Sequence, residues 1–335
     1  MTIRVGVIGA GNIGTAHAHN LATAVPGSTV TAIYDVDQPA ATALASELGC
    51  RSTASLADLI NADDVDAVVI ASPDGLHAEQ ALACLAVRKP TLCEKPLAPT
   101  IEAAQRVLDA EVAIGERLLT LGFMRRFDPG YVALKREIGA EGIGTPLMVH
   151  NVHRNAAFAY GLTTEGTVTN AAIHEIDINR WLLEDEYARV QVIMGRSGPD
   201  TPDGQRDPLF IIYETAGGVV VDIEAFMMAR YGYEVTCQVV ASDGVSDMGD
   251  GGYITRTTAR VRGQPVPEQW IGRFRDAYRI EMQAWIDSIR GRAGPTGASL
   301  WDGFAATHAA EAAVESLRSD GLVRVDLPSR PDLYR

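Results

Sequence analysis

The chain has 335 residues, 47% of them apolar, and a formal net charge of -14. That length exceeds one ordinary hydrophobic core and predicts two globular domains, while the charge excludes the basic surface that nucleic acid or an anionic membrane needs and leaves a small neutral or polar substrate. Cys50, Cys84, Cys93 and Cys237 have no paired spacing, which predicts neither a disulfide framework nor a metal site. A strand pattern begins at Ile3 with no room for a signal segment, and no apolar run reaches membrane-spanning length, so the expected compartment is the cytoplasm.

Arg4-Val5-Gly6-Val7-Ile8 reads as a buried strand, followed by Gly9-Ala10-Gly11-Asn12-Ile13-Gly14 and a helix-compatible stretch from Thr15. In a strand-turn-helix context the first glycine permits the tight turn and the second lets backbone amides approach a pyrophosphate. The third lets the helix pack on the strand, and the helix N-terminus adds partial positive charge. A second strand, Val30-Thr31-Ala32-Ile33-Tyr34, ends at Asp35, where a carboxylate can accept hydrogen bonds from an adenosine ribose. Asp35 is followed by Val36 and Asp37, with no arginine nearby, which favours NAD over NADP. His17 and His19 on the following helix read as helix surface.

Helix-like and strand-like segments then alternate: 40–48, the buried strand 66–72, 77–87, the apolar run 91–93, 101–114 and the strand 118–123. This predicts an α/β, doubly wound parallel sheet. Within it, Leu92-Cys93-Glu94-Lys95-Pro96 ends a strand between two prolines. Ligand chemistry in such sheets sits beyond the carboxyl ends of the strands, so Lys95 is a candidate catalytic cation. The candidate cofactor-binding residues are Gly9, Gly11, Asn12, Ile13, Gly14, Asp35, Ser72, His77, Glu94 and Lys95.

After about residue 124 the texture changes. Strand-like runs at 146–155, 189–194, 209–213, 219–227, 234–240 and 254–261 are separated by Gly, Pro and Asp turns, predicting an open, mostly antiparallel sheet. Helix-like segments 168–183, 274–289 and 301–318 are available to cover one face. The domains expected are 1–124, binding the nucleotide, and 125–335, binding substrate, with the C-terminal segment able to return to the first. In a regular helix Asn170, His174 and Asp177 share an arc of roughly 60°, and position 178 is isoleucine, which breaks the zinc-protease spacing. His153 with Asn155, and Tyr231 with Tyr233, are two apart on extended segments, so each pair points to one face. Such groups suit a polyhydroxylated ring, and cross-strand stabilisation or exposed polar alternation explains them equally well.

With Gly9-x-Gly11-x-x-Gly14, Glu94-Lys95-Pro96, Gly122-Phe123-Met124-Arg125-Arg126, His153-Arg154-Asn155 and Ile173-His174-Glu175-Ile176-Asp177 in order, the chain resembles the Gfo/Idh/MocA oxidoreductase family over nearly its whole length. The resemblance implies a Rossmann domain and an α/β domain whose open sheets associate into a homotetramer. It implies NAD as cofactor and oxidation of a ring hydroxyl, with myo-inositol the leading expectation and scyllo-inositol, D-chiro-inositol or a pyranose as alternatives in the same class. A nucleotide-binding sensor without turnover is the alternative outside enzymes. By position, Lys95 and His174 would be catalytic, and Arg125, His153, Asn155, Asp177 and Tyr233 would contact the polyol. Such enzymes commonly have an aspartate four residues before the histidine, where this chain has Asn170. An amide can orient an imidazole but cannot offer it a full negative charge.

Overall fold

A computed structural model describes residues 1–139, 142–159, 161–249 and 255–335. The chain forms two compact units: Met1–Phe127 with Asp276–Thr307 and Pro328–Arg335, and Asp128–Arg275 with His308–Leu327. Residues 276–307, taken with the second domain on sequence grounds, group with the first unit, as do 328–335, the C-terminal segment expected to be able to return to it.

In the first unit, strands β1 (Ile3–Ile8), β2 (Ser28–Tyr34), β3 (Arg51–Ser52), β4 (Ala67–Ile70), β5 (Thr91–Glu94) and β6 (Leu119–Gly122) form one parallel sheet in the order β3-β2-β1-β4-β5-β6. The order reverses between β1 and β4, which opens a crevice at their carboxyl ends. Helices α1 (Asn12–Thr23), α2 (Gln38–Leu48), α3 (Leu56–Ile60), α4 (His77–Ala86) and α5 (Ile101–Ile114) connect the strands. Local chemistry starts several of them: Asp37 accepts from the Ala40 amide, Ser55 from Asp58 and Thr100 from Ala103, each satisfying a donor with no partner inside its helix.

One core of this unit combines Val5, Val7, Leu21, Ile33, Val69 and Leu92 with Met282, Trp285 and Ile286. Each fully buried side chain of this kind contributes about 1.5–3 kcal/mol. The last three lie on the helix Arg275–Ile289, which therefore covers the parallel sheet rather than the antiparallel one. The chain end is fastened to the same unit, since Tyr334 Oη donates to Glu111 Oε2 at 2.5 Å. The other oxygen of Glu111 accepts the Leu118 and Leu119 amides at 2.8 and 2.7 Å.

In the second unit, strands β7 (Pro146–Arg154), β8 (Tyr187–Met194), β9 (Leu209–Thr215), β10 (Val220–Phe226), β11 (Glu234–Ala241) and β12 (Val245–Asp247) lie in the order β12-β11-β7-β10-β9-β8, with a last short strand beside β8 at Val323–Arg324. Only β7 and β10 run parallel; the other pairs are antiparallel. Burial alternates along β11 and β10 as a one-sided sheet requires. The inner face is tied to one helix by Tyr213 Oη donating to Ala309 O at 2.9 Å and by Ser316 Oγ accepting from Val192 N at 2.9 Å.

The outer face mixes apolar side chains with ion pairs. Ile193, Phe210, Val220 and Met148 are exposed, alongside Arg154 between Glu224 and Glu234. The strand expected at 254–261 is instead a small hairpin, Arg256–Thr258 with Val261–Gly263, turned by Ala259 and Arg260 at positive φ; Ile254 lies outside the described residues. Among the described residues no helix is long and apolar enough to cross a membrane.

Candidate active site

The glycine-rich turn tests directly whether a dinucleotide fits. Gly9 has φ +105°, and a Cβ there would lie 2.4 Å from Ala71 O; a Cβ on Gly14 would lie 2.1 Å from Gly9 O. Both positions therefore require glycine to close the turn and seat α1 on the sheet. Gly11 differs: its φ is -75° and a Cβ would meet nothing within 4 Å. Protein packing does not demand this glycine, whereas a phosphate approaching the backbone would. Gly11 also caps α1 without a side-chain hydrogen bond, and Asn12 and Ile13 open the helix, so its first amides suit an anion.

Asp35, just past β2, is tied to the same turn. Its Oδ2 accepts the Ala10 amide at 2.6 Å and its Oδ1 the Asp37 amide at 2.8 Å. These bonds hold the carboxylate at the edge of the loop, and its remaining lone pairs can accept ribose hydroxyls. Ser72, expected to touch the cofactor, donates its hydroxyl to Gln80 Oε1 at 2.6 Å. His77 is buried, its Nε2 2.8 Å from Ser72 O and its Nδ1 2.7 Å from Pro96 O. That ring bridges the chain after β4 to the chain after β5.

Lys95 follows the last residue of β5 and is the one residue between 91 and 98 that is not buried. Glu94 was expected at the cofactor, and its carboxylate has two protein partners. It is 5% exposed, with Oε1 2.7 Å from His17 Nε2 and Oε2 accepting the Lys95 amide at 3.2 Å. His17, read as helix surface, is fully buried. The signal was present, because Gly14, Ala18 and Leu21 form the buried stripe of α1 and His17 falls within it at helical spacing. Burial also pushes the adjacent Cys93 thiol well above its ordinary range, making it an inert packing group.

The second unit brings together His153, Tyr233 and a residue that sequence reasoning missed. His153 Nδ1 lies 2.9 Å from Glu175 Oε2, both side chains are buried, and the Tyr233 ring meets the imidazole edge-on at 5.7 Å. Nothing local marks Glu175, because Ile173 through Arg180 are all buried and this helix has no solvent face from which to read a pattern. Asn155 follows β7, with its Nδ2 3.2 Å from Met227 Sδ. Its Oδ1 is buried with no hydrogen-bond partner among the described residues, as an acceptor awaiting a ligand hydroxyl would be.

Two expectations about this unit are corrected. Tyr231 and Tyr233 do not share a face: β11 begins only at Glu234, Gly232 between them has φ +143°, and Tyr231 is 51% exposed while Tyr233 is 4% exposed. Tyr231 joins Arg154 and Glu234 on the outer face. Asn170 and His174 are also not on one regular helix. Thr167–Ala171 is a π-turn, closed by Ala172 N donating to Thr167 O at 2.8 Å, and the α-helix proper is Ile173–Leu183. The 100° count therefore holds for His174 and Asp177 but not across to Asn170. Arg125, a candidate polyol contact, is 1% exposed in the turn Met124–Phe127 of the first unit.

Residues 3–123 match the family model described as an oxidoreductase family NAD-binding Rossmann fold, and 135–327 match its C-terminal alpha/beta domain. The chain belongs to the Gfo/Idh/MocA oxidoreductase family. A Gfo/Idh/MocA relative from Saccharopolyspora erythraea, inositol 2-dehydrogenase 1, is 43% identical over 337 residues, covering 100% of this chain and 99% of its own. The solved myo-inositol dehydrogenase of Lactobacillus casei, in complex with NAD(H) and myo-inositol, is similar with a TM-score of 0.95 and 34% identity over 100% of both chains. The scyllo-inositol dehydrogenase of the same organism, with bound NAD(H) and scyllo-inositol, is similar at TM-score 0.89 and 25% identity, over 98% of this chain and 100% of that one. Residues 3–123 of the first unit are thus an NAD-binding domain, and NAD is the cofactor.

Proposed function

We propose that this protein oxidises a secondary hydroxyl of myo-inositol to the 2-ketone with NAD. The observation that carries the reading is the full-length likeness to a myo-inositol dehydrogenase solved with cofactor and polyol, together with inositol 2-dehydrogenases at about 40% identity. Bound NAD supplies the hydride acceptor.

In this reading the glycine-rich turn and Asp35 hold the dinucleotide, and His174 accepts the hydroxyl proton. Lys95 stabilises the negative charge developing on that oxygen. Asn170, on the turn before the helix that carries His174, is the neutral group proposed to orient the imidazole in place of a carboxylate. Arg125, His153, Asn155, Asp177 and Tyr233 orient the ring and so decide which hydroxyl is presented. For His153 the chemistry follows from its partner: the Glu175 carboxylate, 2.9 Å from Nδ1, fixes the orientation of the ring that would face the substrate.

The protein acts in the cytoplasm, a compartment that suits its four free thiols, and assembles as a homotetramer through its open sheet. Neither nucleic acid nor membrane is a partner, in keeping with the net charge of -14. The test of function is NADH formation followed spectrophotometrically across myo-, scyllo- and D-chiro-inositol and a set of pyranoses. Highest kcat/KM on myo-inositol is the expected result. Preference for scyllo-inositol, the substrate bound in the 25%-identical neighbour, would move the reading within its class, and no turnover on any of them would leave a nucleotide-binding sensor.

A further inference from the structure

Glu94 sits in a niche built from three sides of the first unit. Its strand partner in register is Gly122 of β6, where a Cβ would come within 3.1 Å of the Glu94 carboxyl group, so glycine leaves the side chain its room. On another side His17 of α1 presents Nε2 at 2.7 Å from Oε1. That imidazole is itself held edge-on by the Tyr278 ring at 5.5 Å. The third contact is the Lys95 amide, which donates to Oε2 at 3.2 Å.

The proton on this pair can be assigned from what surrounds it. A carboxylate only accepts, so Nε2 of His17 is the donor, and His17 Nδ1 is buried with no partner among the described residues. A buried acceptor nitrogen left bare is tolerated more readily than a buried N–H without an acceptor, which favours the Nε2–H tautomer. His17 therefore acts as a fixed donor that turns Glu94 toward the Lys95 backbone.

We propose that His17 is a positioning residue for the reaction: through Glu94 it fixes the peptide that carries Lys95, and it ties that peptide to the helix that begins at the dinucleotide turn. The inference rests on the reading of Lys95 as catalytic. His17 touches neither polyol nor nicotinamide in this role, and its loss acts on kcat. A displacement of the reacting cation by even 1 Å is enough to cost up to about a hundredfold in rate.

The experiment compares His17→Gln, whose amide nitrogen reaches about as far as Nε2, with His17→Asn, which has the same chemistry one methylene short, and with His17→Leu. Steady-state oxidation of myo-inositol is measured for each, with NAD affinity by fluorescence titration and melting temperature alongside. His17→Asn and His17→Leu should lower kcat by about ten- to a hundredfold while NAD affinity and polyol KM stay within about threefold, and His17→Gln should recover most of the rate. If His17→Leu does not fold, the Gln–Asn contrast decides. Equal rates for Gln and Asn, or a wild-type kcat for Asn, would overturn the positioning role. The same set is made in a Lys95→Ala background, where His17→Asn should change the residual rate no further; an undiminished loss there would mean a general structural effect and would also overturn it. Normal turnover by Lys95→Ala alone would instead remove the assignment of Lys95 on which the inference stands.

Discussion

His153 Nδ1 and Glu175 Oε2 are 2.9 Å apart with both side chains buried, so the residue that fixes the orientation of a proposed substrate contact lies on a different element from it. Removing Glu175 leaves the imidazole's N–H without its acceptor inside the protein. Glu175→Ala should therefore destabilise the fold by about 1–3 kcal/mol and raise the polyol KM, because the ring can then turn. Glu175→Gln keeps an acceptor oxygen and should retain most of both properties. Chemical denaturation and steady-state kinetics on the two variants check this; an Ala variant with wild-type KM would show that His153 does not depend on its partner for function.

The outer face of the second unit supplies a prediction about assembly. Cross-strand rows place Ile193 beside Phe210, and Met148 beside Val220, and these apolar residues alternate with side chains already paired, such as Arg154 with Glu224 and Arg189 with Glu214. A face of this kind can be buried against another copy without stranding unpaired charges. Phe210→Glu combined with Met148→Asp should lower the mass found by sedimentation below that of the wild-type assembly, while leaving the circular dichroism of the subunit unchanged. A wild-type assembly in the double variant would place the interface elsewhere.

The doubly wound half of the protein was legible because its signals are local: apolar runs, helix-start residues and three glycines whose spacing matches one turn. The placement of Lys95 at a strand end followed from the same pattern. What sequence could not give was decided by tertiary packing. The helix Arg275–Ile289 is amphipathic, but its apolar stripe does not say which sheet it covers, and Met282 and Trp285 chose the first. Glu175 was hidden because its helix is buried all round. The shared face assumed for Tyr231 and Tyr233 failed on Gly232, whose left-handed φ interrupts the two-residue alternation.

Asp35 carries the cofactor prediction. Its carboxylate is held by the Ala10 and Asp37 amides, so it cannot swing away from a 2′-phosphate. Two unit charges at about 4 Å repel by roughly 4 kcal/mol at an effective dielectric of 20. NADP should therefore support a kcat/KM at least about a hundredfold below that of NAD, and Asp35→Ser should narrow the ratio both by relieving the repulsion that NADP meets and by weakening NAD. Comparable efficiencies with both cofactors in the wild-type enzyme would contradict this.

Glu111 and Tyr334 give a prediction in pH. Burial raises the Glu111 pKa in the folded protein, against the opposing effect of its hydrogen bonds from Tyr334 and the Leu118 and Leu119 amides. A carboxyl group raised on folding binds more protons folded than unfolded between its two pKa values, so its contribution is full below the unfolded value of about 4.3 and is lost as pH rises through the folded value. Relative to Glu111→Gln, the wild type should gain stability as pH falls from neutrality toward that point. Denaturant melts of both proteins across this range measure the difference, and a flat or opposite trend would mean that the hydrogen bonds outweigh burial. Tyr334→Phe should cost about 1–3 kcal/mol, because Glu111 Oε2 then loses its buried donor.

The glycines of the dinucleotide turn separate binding from folding. An alanine at Gly14 would place its Cβ 2.1 Å from Gly9 O, a backbone atom that cannot move aside cheaply, whereas at Gly11 the new methyl would meet no protein atom within 4 Å and the backbone there, φ -75° and ψ -171°, is open to any residue. Gly14→Ala should therefore lower the melting temperature sharply through the lost seating of α1. Gly11→Ala should melt within about 0.5 kcal/mol of the wild type and still bind NAD at least about tenfold more weakly, since the methyl occupies the ground over which the pyrophosphate approaches. The two variants are compared by calorimetric melting without cofactor and by NAD titration. If Gly11→Ala bound NAD normally, the pyrophosphate would have to lie away from this amide. The helix N-terminus at Asn12 would then need another explanation for its uncapped donors.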